Sequence, residues 1–190
     1  MDPLMASQAF PPVPLDPDNA DQRALADQLL RASGGYAGGP IPLLLRSPAM
    51  GLRLRPLISY FATRSTLPAR LKELAILIQA RFWDQDYEWW AHERIAHDAG
   101  LAPAVTAAIH EGRFPENMAE DEAAVHALCR ELLDEHRVRP ETLAEARRHL
   151  NEEQLVDLAA VSGVYALLAL LLNLSGEGAP ADAPRPTPGI

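Results

Sequence analysis

The chain has 190 residues, 48% of them apolar and 23% charged, an ordinary composition for one soluble globular domain or at most two small ones. Its formal net charge is -9, with 26 acidic against 17 basic residues and no basic run, which excludes a nucleic-acid binder that works through clustered phosphate contacts. The one cysteine, Cys129, excludes an internal disulfide, a CxxC redox pair and a Cys-rich zinc site.

Prolines mark the ends of the folded region. Of 17, five lie in residues 1–17 and four in 180–190. Residues 1–18 lack helical period and read as an extended arm, without the basic and apolar regions of a secretory signal. Residues 177–190 read as a flexible tail of polyproline type. A cytoplasmic protein with no membrane partner is expected. A single helical domain is expected over 19–176.

Within that domain the apolar residues recur at helical spacing. Asn19 or Asp21 caps a first helix carrying Leu25, Leu29 and Leu30 and ended by Gly34-Gly35. Ser47 and Pro48 suit the start of a second, with Leu54, Leu57, Ile58 and Phe61 inward and Pro56 kinking or splitting it. A third starts at Thr66-Leu67-Pro68, with Leu71, Leu74, Ala75 and Ile78 on one stripe. Asp84-Gln85-Asp86 breaks it, and a fourth runs from Tyr87 to Ala99, stopping at Gly100. Short helices follow near 102–110 and 119–136, separated by a loop from Glu111 to Met118. Pro140 opens another, and Asn151 caps the last, over 152–174. Residues 158–176 carry no formal charge, which approaches transmembrane length. Glu152, Glu153 and Asp157 at its start, and Gly163 and Tyr165 within it, favour a buried helix, central in the domain or facing another copy. No segment alternates like a strand, so the fold class is all-α.

The chemistry-bearing stretch is 71–101, LKELAILIQARFWDQDYEWWAHERIAHDAGL. Glu73 lies between Leu71 and Leu74, beside a buried stripe. Glu88 and His92 are four apart and share a helix face. Trp83, Tyr87, Trp89 and Trp90 are expected around them. A carboxyl beside an imidazole in an aromatic pocket can have a shifted pKa and move protons near neutral pH. A Glu-x-x-x-His pair that only supports its helix is the alternative. In HERIAH the two histidines, His92 and His97, are five apart, which is not the zinc-binding HExxH spacing, so no metal and no cofactor is expected. For a substrate carboxylate Arg81 is near in sequence and Arg46, Arg53 and Arg55 come from the preceding region, with none singled out by spacing. Cys129 reads as a small buried hydrophobe, with His126 three residues before it leaving a reactive thiol open. His97, His110, His136 and His149 read as solvated.

The same stretch resembles the carboxymuconolactone decarboxylase family, which includes the AhpD-like alkylhydroperoxidases. The AhpD pattern is Glu, eleven residues, then Cys-x-x-Cys-x-x-x-His. Here the glutamate falls on Glu73, the histidine on His92, and the two cysteine positions on Gln85 and Glu88. HERIAHDAGLAPAVTAAIHEG resembles the family's helix–turn–helix after the motif, and QLVDLAAVSGVYALLALLLNL its closing helix. The resemblance covers roughly 45–175 and implies an AhpD-like helical bundle. Peroxide reduction in the family runs through the cysteine pair, which this chain lacks. The resemblance therefore implies the decarboxylase branch: a lyase without cofactor, acting on a small carboxylated lactone or organic acid through Glu73, Glu88 and His92, with Arg81, Trp83, Tyr87 and Trp89 binding substrate. It also implies a homo-oligomer, a trimer or hexamer. A peroxidase or oxidoreductase activity assisted by Cys129, and a non-catalytic oligomeric binding protein, are the two alternatives.

Overall fold

The computed structural model describes residues 10, 13–32 and 38–180, and all regular structure among them is α-helical. In chain order the helices are α1 (Ala20–Ala32), α2 (Ile41–Leu44), α3 (Pro48–Thr63), α4 (Ala69–Phe82), α5 (Asp86–Asp98), α6 (Pro103–His110), α7 (Glu120–Asp134), α8 (Pro140–Ala146) and α9 (Glu152–Ser175). The described residues group into two compact units. One takes the chain up to Arg64 together with Leu170–Gly178, and the other takes Ser65–Ala169. Most of the expected N-terminal arm, the Gly34-Gly35 helix end and residues 181–190 of the tail lie outside the described residues. Residues 13–16 have no regular structure, and a turn follows at 17–18.

In the first unit α1 packs on α3. Asn19 caps α1, its Oδ1 accepting from the Gln22 N–H at 3.0 Å. Leu25 and Leu29 are buried, but Leu30 faces out. Ser47 stands at the N-cap of α3, followed by Pro48, yet its side chain makes no capping bond. Helix α3 continues through Pro56 without splitting. Leu54 and Phe61 point inward while Leu57 is exposed, so the inward stripe is narrower than the sequence suggested. The close approach rests on Gly51. A Cβ there would stand 2.4 Å from Leu25 Cδ2 and 3.3 Å from the Leu44 carbonyl oxygen. The single turn α2 had no sequence signal beyond its prolines.

The second unit is built around α4, which packs against α5, α6 and α7. Periodicity predicts one apolar stripe on α4, but the structure buries the helix on nearly every side. Ile76, Leu77, Gln79 and Ala80 join Leu71, Leu74, Ala75 and Ile78 below 3% exposure, which makes α4 the axis of the unit. Polar clasps fix its neighbours. Arg70 pairs with Asp121 at 2.7 Å and with Glu122. Glu122 also accepts from the Ala119 N–H and so caps α7. At the other end of α7, the buried Glu131 accepts from the Arg139 backbone, the Arg139 guanidinium and Thr142 Oγ1, fixing the start of α8.

Helix α9 begins with a reciprocal cap. Asn151 Oδ1 accepts from the Gln154 N–H, and Gln154 Oε1 accepts from the Asn151 N–H. The sequence favoured a buried helix here, and one face fulfils that. Leu155, Leu158, Val161, Val164, Leu168 and Leu172 are buried at three- and four-residue spacing, while Val156, Leu167, Leu170 and Leu174 are exposed. By length and composition alone α9 could cross a membrane. Its 18-residue window has a mean hydropathy of 2.2, and half of that window is buried in the protein.

Candidate functional site

The turn from α4 to α5 sets the site. The Trp83 N–H donates to the Gln79 carbonyl and the Gln85 N–H to the Ala80 carbonyl, closing the end of α4. Between them Asp84 takes a positive φ of 48°, a conformation open to Asp at modest cost. Gln85 then caps α5, its Oε1 accepting from the Tyr87 N–H at 2.7 Å. Helix α5 folds back along α4, so residues far apart in sequence meet.

Glu73 of α4 and His92 of α5 are such a pair. Glu73 Oε2 lies 2.7 Å from His92 Nδ1. The Glu73 side chain is almost wholly buried, whereas His92 keeps 16% of its side-chain surface. With Nδ1–H donating to the carboxylate, Nε2 carries the lone pair and is the ring nitrogen left for a substrate. Lys72 Nζ stands 3.5 Å from the other carboxylate oxygen, Oε1. The ring edge-on to His92 is Tyr165 of α9, with centroids 4.9 Å apart at 87°. Burial and the nearby Glu73 and Glu88 carboxyls push the Tyr165 hydroxyl well above its usual range, which places Glu88 in the same neighbourhood.

Glu88 sits one helical turn before His92. It is 3% exposed, and neither of its carboxyl oxygens has a hydrogen-bond partner. Burial raises its pKa from 4.5 to about 8. It is therefore a neutral carboxylic acid at pH 7. The three ionisable residues chosen from sequence thus form one cluster: an oriented imidazole, the carboxylate that orients it, and a protonated acid.

The expected substrate-binding shell is arranged differently. Tyr87 meets Trp90, with centroids at 5.7 Å, and Trp83 meets Phe82 at 5.3 Å. Trp89 is buried against His110 of α6 at 4.8 Å. Arg81 lies two turns along α4 from Glu73. Its Nε donates to the His110 carbonyl and its guanidinium pairs with Asp84. It lines a separate cavity of about 690 Å³ with Phe82, Phe114, His126 and Arg130. The cation expected to meet a substrate carboxylate thus belongs to another part of the unit, because eight residues of helix carry it some 12 Å along the axis.

Other histidines are not simply solvated. His97 Nε2 is 2.8 Å from Thr106 Oγ1, and His110 is half-buried under Trp89. Cys129 is fully buried, its Sγ 3.9 Å from Ser162 Oγ, and burial pushes the thiol up to about 12. A thiol so placed has no thiolate to offer near neutral pH. Among the described residues, no group of three or more His, Cys, Asp or Glu side chains is arranged to hold a metal ion. Tyr165 is the site residue that sequence reasoning missed. Its one signal is a single aromatic hydroxyl within a largely apolar helix.

Comparison with models of known families, with characterised proteins and with solved structures gave no match to this chain.

Proposed function

We propose that the chain is a carboxymuconolactone decarboxylase-like protein with an AhpD-like bundle that works without thiol chemistry. Its reaction is a proton transfer coupled to loss of CO2 from a small carboxylated lactone or organic acid, with no cofactor. The observation that carries this reading is the 2.7 Å contact between Glu73 and His92, made by a buried carboxylate and a histidine that still reaches the surface. In the reaction the bond from carbon to the carboxylate breaks, CO2 leaves, and the electron pair passes into the conjugated lactone. Protonated His92 then delivers its Nε2 proton to carbon, and Glu73 holds the ring in place and stabilises the imidazolium before the transfer. The buried setting of the cluster favours loss of carboxylate charge. The thiol route is disfavoured by the burial of Cys129 and by Gln85 and Glu88 standing where the family's cysteines fall. A cytoplasmic homo-oligomer, trimer or hexamer, belongs to the same reading.

The test is incubation with carboxymuconolactone and simpler carboxylated lactones in deuterated buffer, with CO2 release and carbon-bound deuterium followed together. Turnover by the wild type and its loss in His92→Asn are expected. Equal turnover in both proteins would remove His92 from the chemistry, and no turnover of any lactone would remove the lyase assignment.

A further inference from the structure

A buried polar group in a folded protein is nearly always hydrogen-bonded, because an unpaired one costs its full desolvation. Glu88 departs from this twice over, since both of its oxygens are buried and neither has a partner in the protein. The residue also has a direction. It shares a face of α5 with His92, one turn away, and its carboxyl is near enough to the Tyr165 hydroxyl to act on it together with Glu73. The charged and titratable groups gathered around His92 on this side of α5 are Glu73 from α4, with Lys72 Nζ 3.5 Å from that carboxylate, and Tyr165 from α9.

We propose that Glu88 is the ligand-anchoring group of this site and donates a hydrogen bond from its carboxyl O–H to a carbonyl or carboxylate oxygen of the small molecule bound beside His92. The inference rests on the reading of this cluster as a pocket for a small acid or lactone, and it assigns the acid a role distinct from proton delivery. Glu73 is already committed to His92, so it is not the donor. An ionised Glu88 next to Glu73 would repel an anionic ligand, whereas the acid form, favoured by burial up to about pH 8, attracts its oxygens. A molecule held in this way presents an acceptor oxygen about one helical turn from the atom facing His92.

The experiment measures binding, so that it is independent of turnover. The probes are the γ-lactone of α-hydroxyglutaric acid and succinate. They are titrated into the full-length protein while the fluorescence of its three tryptophans, all between Trp83 and Trp90, is followed from pH 6 to pH 9.5. In the wild type, affinity should be flat at low pH and fall about tenfold per unit above pH 8. Glu88→Gln keeps an N–H donor that does not titrate. It should bind within about threefold of the wild type at pH 7 and lose the fall above pH 8. Glu88→Leu should lose at least tenfold throughout. A ¹³C titration of the glutamate carboxyls should show one resonance with a midpoint near pH 8 that is missing in Glu88→Gln. The proposal is overturned if Glu88→Leu binds like the wild type, if the alkaline fall survives in Glu88→Gln, if the carboxyl titrates below pH 6, or if neither probe binds. A wild type that binds as described but never turns over a lactone keeps the anchor and loses the lyase reading. A wild type that turns over while Glu88→Leu binds normally does the reverse.

Discussion

Glu73 Oε2 and His92 Nδ1 face each other at 2.7 Å across the α4–α5 packing, nineteen residues apart in sequence. The carboxylate fixes which imidazole nitrogen carries the proton, and so which one is left for chemistry. In the proposed reaction Glu73 acts through His92 and not on the reacting carbon, which makes it a positioning residue. Glu73→Gln keeps the shape and an acceptor oxygen but removes the charge that stabilises the imidazolium. Turnover of a carboxylated lactone should fall about 10²-fold, with a smaller change in KM. Imidazole ¹⁵N shifts should show His92 losing its single tautomer, a change that simple loosening of the helix pair would not produce. An unaltered tautomer with full activity would refute the assignment.

The buried acid at Glu88 makes stability fall with rising pH. Its pKa is about 8 in the folded chain against 4.5 in the unfolded one. Between these values the folded state holds a proton that the unfolded state has released. The full contribution is present below pH 4.5 and declines until pH 8, by ~3–5 kcal/mol on the scale of 1.36 kcal/mol per unit. Glu88→Leu removes this dependence. Urea midpoints of wild type and variant should differ little at pH 5, and the variant should be clearly the more stable at pH 8. A protein that keeps so costly a residue trades stability for function. Equal midpoints at pH 8 would show that the carboxyl is not held as an acid.

Local chemistry was legible in the sequence. The helix starts at Asn19, Pro140 and Asn151, and the stops at Gly100 and Asp84-Gln85, depend on backbone conformation and capping, which neighbouring residues set. That Glu88 and His92 share a face of α5 follows from helical spacing alone. What depended on distant partners was not legible. Period assigned one face of α4 to the core, but only three packing neighbours could bury the rest. The same limit left open whether α9 is central or faces another copy, and within the chain Val156, Leu167, Leu170 and Leu174 are exposed. Arg81 sits close in sequence to the predicted site, yet helix geometry turns it to Asp84 and the His110 carbonyl. Tyr165, over seventy residues from His92, carried no local mark of its role.

Cys129 should behave as a core side chain. It has no exposed surface, and its thiol is pushed up to about 12 by burial, with Ser162 as its polar neighbour. An aromatic disulfide reagent should label it only as fast as the chain opens, so the labelling rate should rise with urea in step with unfolding. Cys129→Ala should cost about 1 kcal/mol and leave lactone turnover unchanged. Peroxide consumption that is present in the wild type and lost in Cys129→Ser would restore the thiol route.

Glu131 carries the opposite pH signature from Glu88. Hydrogen bonds from Thr142 Oγ1, the Arg139 backbone N–H and the Arg139 guanidinium hold its pKa down to about 2, against 4.5 in the unfolded chain. The stability it contributes is fully present above pH 4.5 and is lost as pH falls toward 2, because the carboxylate must then take up a proton that its three donors oppose. The α7–α8 connection depends on this one acceptor, since Thr142 and both Arg139 donors converge on it. Glu131→Gln keeps an acceptor oxygen but not the charge. Its urea midpoint should lie below that of the wild type at pH 6, and the two should converge at pH 2.5. Amide hydrogen exchange should quicken first around Arg139 and Thr142, while Glu73 and His92, on α4 and α5, keep their protection. A gap between the two midpoints that stayed constant from pH 6 to pH 2.5 would show that Glu131 acts by packing and not by charge.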